Sequence, residues 1–187
     1  GRLMRKPRLA VLQFPGSNCE YETRRAAQYY GFDSDIVRWN SSADEVEGYD
    51  AYILPGGFSY QDRVRSGAIS SKLPLMKSLK KAASGGKPVL GICNGCQILV
   101  ESGILPDTKG GFQVEAGMAH NRKVSREGVK SELGFICDWV FVKVKNPEKS
   151  IFTKHFSEND ILPIPVNHGE GRFLFDFPVQ TLVDNRS

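Results

Sequence analysis

Cys93 is the residue whose surroundings most strongly indicate chemistry. It stands between two glycines in Gly91-Ile-Cys-Asn-Gly95, after one apolar segment and before another. This spacing is typical of the sharp turn between a buried strand and a helix that exposes a nucleophile. The start of a helix also favours the thiolate, which is the attacking form of cysteine. The pattern therefore predicts that Cys93 is a catalytic nucleophile.

A thiolate that attacks a carbonyl carbon creates a negatively charged oxygen, and that oxygen needs hydrogen-bond donors. The backbone N–H of Asn94 directly follows the nucleophile and is one natural donor. We expect the second donor from the turn Pro55-Gly56-Gly57-Phe58, which ends a neighbouring strand. An ordinary strand-ending turn is the alternative interpretation of this pair of glycines.

Other interpretations of the cysteines remain open at this point. Cys93 could be a small core residue, or it could form a redox pair with Cys96 at the helix start. A zinc site made by Cys93, Cys96 and His120 is weaker, because no second close pair of ligands exists. Cys19 and Cys137 fall within periodic segments, and we interpret both as core residues.

The elements that must position Cys93 alternate between apolar strands and amphipathic helices. This order predicts an α/β fold with a central, mostly parallel sheet covered by helices on both faces. Asn18 is expected to cap the first helix, and Ser42 with Glu45 has capping-box spacing. The expected strands are 9–14, 35–39, 51–54 and 88–92, and the expected longer helices are 19–30, 73–83 and 96–100.

The strand before Cys93, residues 88–92, is apolar on both faces, so we expect it at the centre of the sheet. Beyond Gly103 the sequence changes to glycine-rich loops and alternating strands, of which 135–144 is the clearest. The second half is therefore expected to add an antiparallel extension.

Composition limits the remaining possibilities. The 187 residues are 40% hydrophobic, which suits one domain over 1–187. The 25 Lys and Arg and 21 Asp and Glu form a mixed surface, so no nucleic-acid partner is indicated. No apolar run has the length of a membrane span, and no signal peptide is recognisable. We expect a cytoplasmic protein whose four cysteines are reduced thiols.

Five stretches taken together resemble the class I glutamine amidotransferases, and among them the glutaminase subunits of phosphoribosylformylglycinamidine synthase in purine biosynthesis. The Gly-x-Cys-x-Gly pattern alone indicates only the class, whereas the second and fifth stretches are narrower signals. The stretches are Phe14-Pro-Gly-Ser-Asn-Cys19, Tyr49-Asp-Ala-Tyr-Ile-Leu-Pro-Gly-Gly-Phe-Ser-Tyr60, Arg65-Ser-Gly-Ala-Ile69, Gly91-Ile-Cys-Asn-Gly-Cys-Gln97 and His168-Gly-Glu-Gly-Arg172.

The resemblance implies a three-layer amidotransferase fold and a role for each motif. Cys93 would attack the carboxamide of glutamine, giving a glutamyl thioester and ammonia, and water would release glutamate. Gly57 and Asn94 would hold the oxyanion. The resemblance further implies that the bound glutamine would contact Gly56, Phe58 and Gln97.

The resemblance also implies partners. Ammonia would pass to a synthetase subunit that uses ATP and magnesium on formylglycinamide ribonucleotide, with a small accessory subunit as a further partner. This chain has no Gly-x-x-x-x-Gly-Lys-Ser/Thr phosphate loop, so ATP chemistry is expected in the partner. No cofactor and no metal ion are expected in the chain itself.

The chain departs from the family pattern at two places. Gln61 stands where the family usually has glycine after Ser-Tyr. The family takes its catalytic base from a His-Pro-Glu sequence near the C-terminus, and no such sequence occurs here. His168 and Glu170 could replace it if both lay on one face of a strand. We instead expect a C-terminal segment beyond Ser187 that supplies the base.

The other two histidines, His120 and His155, are expected on the surface or in loops, without a neighbouring carboxylate to orient them.

Two rival functions follow from the missing base and from the cysteine pair. The chain could be a catalytically impaired binding or regulatory subunit of the same fold, or a thiol redox protein that uses Cys93 and Cys96.

Overall fold

The computed structural model describes residues 5–59, 67–128, 130–132 and 134–184. The chain forms two compact units, residues 1–118 and 119–187. Single-domain organisation over 1–187 therefore stays a prediction. No helix among the described residues combines the length and the apolar character needed to cross a membrane.

The first unit alternates strands and helices as the sequence predicts. In chain order its elements are β1 (Arg8–Gln13), α1 (Glu20–Tyr29), β2 (Asp33–Arg38), α2 (Ala43–Glu47), β3 (Ala51–Leu54), a 3₁₀ turn (Ser70–Lys72), α3 (Leu75–Ser84), β4 (Val89–Gly91) and α4 (Asn94–Ser102). Strand β5 (Ala116–Ala119) lies at the boundary of the two units.

Strands β1 to β4 form one parallel sheet in the order β2-β1-β3-β4. The prediction that residues 88–92 lie at the centre of the sheet is wrong for the described residues, because β4 is an edge strand there. All three residues of β4 are half-buried. An apolar run indicates burial but does not indicate which strands are its neighbours.

Successive side chains of β1 pack on opposite faces of the sheet, as strand geometry requires. Leu9 and Val11 contact Ala27 of α1 on one face. Ala10 and Leu12 belong to the larger cluster on the other face. That cluster also takes apolar side chains from α2, α3 and α4 (Val46, Leu75, Met76, Leu79, Ala82, Ile98 and Leu99). The prediction of a parallel sheet with helices on both faces is confirmed.

The helix caps follow the sequence only in part. Ser42 caps α2, since its hydroxyl accepts a hydrogen bond from the N–H of Glu45 at 3.2 Å. Asn18 does not cap α1: Cys19 occupies the N-cap position and makes no side-chain cap bond. The chain leaves α1 through Gly31, whose φ of +92° suits glycine.

The second unit contains antiparallel strand pairs. Strand β6 (Arg122–Val124) pairs with β7 (Lys130–Glu132), and β8 (Ile136–Lys143) pairs along its whole length with β9 (Ile161–His168). Strand β10 (Arg172–Phe175) and helix α5 (Gln180–Asp184) follow. The predicted antiparallel extension in the second half is confirmed.

Candidate active site

Cys93 has a backbone conformation that side chains rarely adopt. Its φ is +51° and its ψ is −112°, and it lies at the N-cap of α4, two residues after the end of β4. A non-glycine residue at positive φ costs roughly 1–3 kcal/mol, so the surrounding structure must hold it there. The side chain is exposed. The predicted strained turn is confirmed, and it presents the thiol at the first turn of a helix.

The two glycines around Cys93 are required by close packing. A methyl group on Gly91 would lie 2.7 Å from Cδ1 of Leu99 and 2.8 Å from Cα of Cys96. A methyl group on Gly95 would overlap the carbonyl oxygen of Leu54 in β3. Both positions therefore exclude larger residues, and α4 can lie directly against the ends of β3 and β4.

The glycine turn after β3 is held by the loop that follows β1. Gly57 has a φ of +149°, and a methyl group on it would lie 2.6 Å from the backbone nitrogen of Asn18. The N–H of Phe58 donates to the carbonyl of Gly16 at 3.0 Å, and the N–H of Asn18 donates to that of Gly56 at 3.3 Å. Among the described residues, nothing accepts a hydrogen bond from the N–H of Gly57.

The side chain of Asn94 connects the helix start to the glycine turn. It is 1% exposed. Its Oδ1 accepts a hydrogen bond from the N–H of Ser59 at 3.3 Å, and its Nδ2 donates to Oε1 of Gln97 at 3.0 Å. Asn94 is the first residue of α4, so its backbone N–H lies at the start of the helix, directly after Cys93. Its role as an oxyanion donor stays a prediction.

The residues predicted to contact glutamine differ in exposure. Phe58 is exposed, whereas Gln97 is buried beside Asn94. Gly56 lies next to Cys93, because a methyl group on Gly56 would be 3.6 Å from Cβ of Cys93. The structure thus brings Gly56 and Cys93 together and links Gln97 to Asn94, while the roles of these residues stay predictions.

Cys19 lies at this site, and its interpretation as a core residue is wrong. Its side chain is exposed. A methyl group built on Gly56 would lie 3.7 Å from Sγ of Cys19 and 3.6 Å from Cβ of Cys93, so both cysteines lie beside Gly56. Helical periodicity placed Cys19 inside a helix, but the helix starts one residue later. In the sequence, Cys19 comes directly after the turn that follows β1, and this position was the feature that could have placed it near the site.

The other two cysteines differ from each other. Cys137 is exposed on β8, so its interpretation as a core residue is also wrong. Cys96 is half-buried, and burial together with the nearby Cys93 raises the pKa of its thiol. None of the four cysteines forms a disulfide. Within the described ranges, no three His, Cys, Asp or Glu side chains are arranged to hold a metal ion.

His168 is held by Asn121 in the second unit. The Asn121 side chain donates from Nδ2 to the carbonyl oxygens of His168 at 2.8 Å and of Gly134 at 3.2 Å. Its Oδ1 accepts from the N–H of Gly171 at 3.0 Å and lies 3.1 Å from Nδ1 of His168. The His168 ring also covers Gly171 so closely that a methyl group there would overlap it. These contacts fix the ring orientation.

Glu170 is not placed by the strand that carries His168. β9 ends at His168, so strand alternation does not extend to Glu170. One Glu170 carboxylate oxygen lies 3.8 Å from Nδ1 of His120. The expectation that His120 lacks a neighbouring carboxylate is therefore wrong, although its side chain is exposed as expected. The assignment of His168 and Glu170 as a base pair stays a prediction.

Some residues of the quoted motifs lie outside the described residues. They include Gln61, where the chain departs from the family pattern, together with Tyr60, Arg65 and Ser66. Ser59 is a neighbour of the candidate site that the sequence did not indicate. No sequence signal marks a serine N–H that binds a side chain 35 residues away.

Comparison with known proteins is consistent with this arrangement. Residues 6–186 match the CobB/CobQ-like glutamine amidotransferase domain family. Phosphoribosylformylglycinamidine synthase subunit PurQ of Methanothrix thermoacetophila is 46% identical over 168 residues, which cover 89% of this chain and 63% of the relative. The subunit of the same name from Pyrococcus horikoshii is 36% identical over 171 residues, covering 91% and 67%. This chain thus spans somewhat less than two thirds of the length of the Methanothrix relative.

Solved structures show the same fold. The structure of PurLQS from Thermotoga maritima contains a chain that matches with a TM-score of 0.74 at 35% identity, over 91% of this chain and 70% of that chain. A glutamine amidotransferase from the same organism matches with a TM-score of 0.50 at 19% identity, over 94% and 65%. The second likeness concerns the fold alone.

Proposed function

Because the chain belongs to the CobB/CobQ-like glutamine amidotransferase family, we propose that it hydrolyses glutamine as the glutaminase part of a phosphoribosylformylglycinamidine synthase. The observation that carries the proposal is the conformation of Cys93, exposed at positive φ beside the glycine turn. The relatives named as PurQ subunits support the choice of synthase.

In the proposed reaction the Cys93 thiolate attacks the carboxamide carbon of glutamine. The carbonyl oxygen becomes an oxyanion that accepts hydrogen bonds from the backbone N–H groups of Gly57 and Asn94. The C–N bond then breaks, the nitrogen takes a proton and leaves as ammonia, and a glutamyl thioester remains on Cys93. Water adds to the thioester carbon, and glutamate leaves with the thiolate restored.

The reaction needs a group that gives a proton to the leaving nitrogen and later takes one from water. The family pattern assigns this role to a His-Pro-Glu sequence that does not occur in the chain. Within the chain, His168 with Glu170 is the alternative. The contacts of His168 with Asn121 and Gly171 favour a structural role for its ring.

The proposal includes partners. Ammonia would pass to a synthetase subunit that uses ATP and magnesium, and a small accessory subunit would complete the assembly. The match to a chain of PurLQS supports an assembly of this kind.

A cytoplasmic location is part of the proposal, because a thiol nucleophile and three more free cysteines suit a reducing compartment. We expect slow glutamine hydrolysis by the protein alone and faster hydrolysis with the synthetase.

An electrophilic glutamine analogue tests the proposal. We expect covalent labelling at Cys93 in the intact protein, read by peptide mass mapping, and protection by glutamine. Glutamate release should be lost in Cys93→Ser and kept in Cys137→Ser, which changes an exposed thiol on another element. Equal labelling of all four cysteines, or labelling without any release of glutamate in the presence of the synthetase, would contradict the function.

A further inference from the structure

Gly56 lies beside two exposed cysteines, Cys19 and Cys93. A methyl group built on Gly56 would lie 3.6 Å from Cβ of Cys93 and 3.7 Å from Sγ of Cys19, and its third neighbour would be the carbonyl oxygen of Ile92 at 3.8 Å. Both cysteine side chains thus approach the point where a side chain of Gly56 would begin. Because position 56 has no side chain, no group of that residue keeps the two thiols apart.

Backbone hydrogen bonds hold Cys19 in this position. Its N–H donates to the carbonyl oxygen of Gly56 at 3.2 Å. Its own carbonyl accepts from the N–H of Thr23 at 3.1 Å and from the Thr23 hydroxyl at 2.6 Å. Cys19 is therefore tied on one side to the glycine turn and on the other to the first turn of α1.

Cys96 is the other cysteine close to Cys93 in the sequence, and it is less suited to react with it. Its backbone packs against Gly91, and its side chain is half-buried. Burial raises the pKa of the Cys96 thiol, so less of it is thiolate near neutral pH. Cys19 is exposed, like Cys93. Access and contact with Gly56 both favour Cys19 as the reaction partner.

We propose that Cys19 is a resolving thiol that forms a reversible disulfide with Cys93 when hydrogen peroxide oxidises the nucleophile. The Cys93 thiolate attacks one peroxide oxygen and the O–O bond breaks, which gives a sulfenic acid and hydroxide. The Cys19 thiolate then attacks the Cys93 sulfur, forms the S–S bond and displaces the sulfenic oxygen as hydroxide. With two protons the products are two waters, and the two thiols supply the two electrons.

The disulfide would stop ammonia release while peroxide is present and would protect Cys93 from irreversible oxidation to sulfinic acid. A dithiol reductant would restore both thiols. The inference rests on the proposed function only in taking Cys93 as the reactive thiol. Its test measures thiol chemistry and needs no glutamine turnover, so the two proposals can fail separately.

The test treats the intact protein with hydrogen peroxide and maps its peptides without reduction. We expect a peptide pair joined through Cys19 and Cys93 in the native protein and in Cys96→Ser. The pair should disappear on reduction with dithiothreitol, and labelling of Cys93 by the glutamine analogue should return. In Cys19→Ser we expect sulfinic acid at Cys93 and permanent loss of labelling.

Gly56→Ala provides a second variant. Its methyl group would make contacts of 3.6–3.8 Å, which are ordinary van der Waals distances, so the fold should tolerate it. The methyl group would occupy space beside Cβ of Cys93 and Sγ of Cys19, and we expect slower formation of the cross-link. A Cys93–Cys96 disulfide as the main product would overturn the proposal. Equal recovery of labelling in Cys19→Ser and the native protein, or a Cys93 thiol unchanged by peroxide, would do the same.

Discussion

Gly95 lies so close to the carbonyl group of Leu54 that any side chain at position 95 would overlap it. The helix that begins after Cys93 is therefore in direct backbone contact with the strand that leads into the glycine turn. The positions of Cys93 and of the turn depend on this contact, because a displaced helix start would move the Asn94 N–H away from the turn.

Gly95→Ala should lower the free energy of unfolding by about 3 kcal/mol, because the added methyl group forces α4 away from β3. Chemical denaturation monitored by fluorescence measures the change. Gly117→Ala is the matched control, since its methyl group would meet no atom within 4 Å and its φ lies outside the positive region. Equal stabilities of the two variants would contradict the packing argument.

Asn94→Asp should reduce kcat/KM for glutamine about 10- to 100-fold, because it replaces the donor to Gln97 by a carboxylate oxygen that repels Oε1. The acceptor for the Ser59 N–H and the backbone N–H of residue 94 both remain, so the fold should persist. Steady-state glutaminase kinetics measure the effect. Asn18→Asp makes the same chemical change at an exposed neighbour of the turn, and a loss as large there would indicate a general charge effect.

Asp50→Asn should destabilise the protein at neutral pH, and the difference should disappear in acid. The N–H of Arg8 donates to the Asp50 carboxylate at 2.7 Å and lowers its pKa below the ordinary 3.8, with Arg5 contributing further. A lowered folded-state pKa adds stability above the unfolded value, and this stability is lost as pH falls through the folded value. Thermal unfolding between neutral pH and about pH 3 checks the sign. Asp33→Asn, at an exposed position, is the control.

Asn121→Ala should lower the free energy of unfolding by about 2 kcal/mol or more, since it leaves backbone groups of Gly134, His168 and Gly171 without their side-chain partner. Chemical denaturation measures the change.

His168→Ala should lower the free energy of unfolding by less and leave glutamine hydrolysis measurable, because the ring packs on Gly171 and binds Asn121. His155→Ala, at an exposed position, is the control. Complete loss of hydrolysis in His168→Ala, with stability retained, would instead identify His168 as the catalytic base.

Local sequence patterns predicted most of the first unit. The strand 51–54 and the capping of α2 by Ser42 agree with the structure, because both depend on residues close together in the chain. The edge position of β4 and the contact between Cys19 and Gly56 could not be predicted, because each depends on how distant segments meet. Gly91 and Gly95 were recognised as a motif, but only the packing against Leu99 and Leu54 gives the physical reason.

The two faces of β1 are covered by apolar clusters of very different size. Among the described residues, the buried cluster on one face consists of Leu9, Val11 and Ala27, with Phe32, Ala51 and Ile53 packed against it, whereas the cluster on the other face contains side chains from three helices. Local opening costs less where fewer apolar contacts must be broken. Amide hydrogens of α1 should therefore exchange with deuterium long before those of α3 and α4. The segment that carries Cys19 would then detach and re-form while the strand beneath it stays intact.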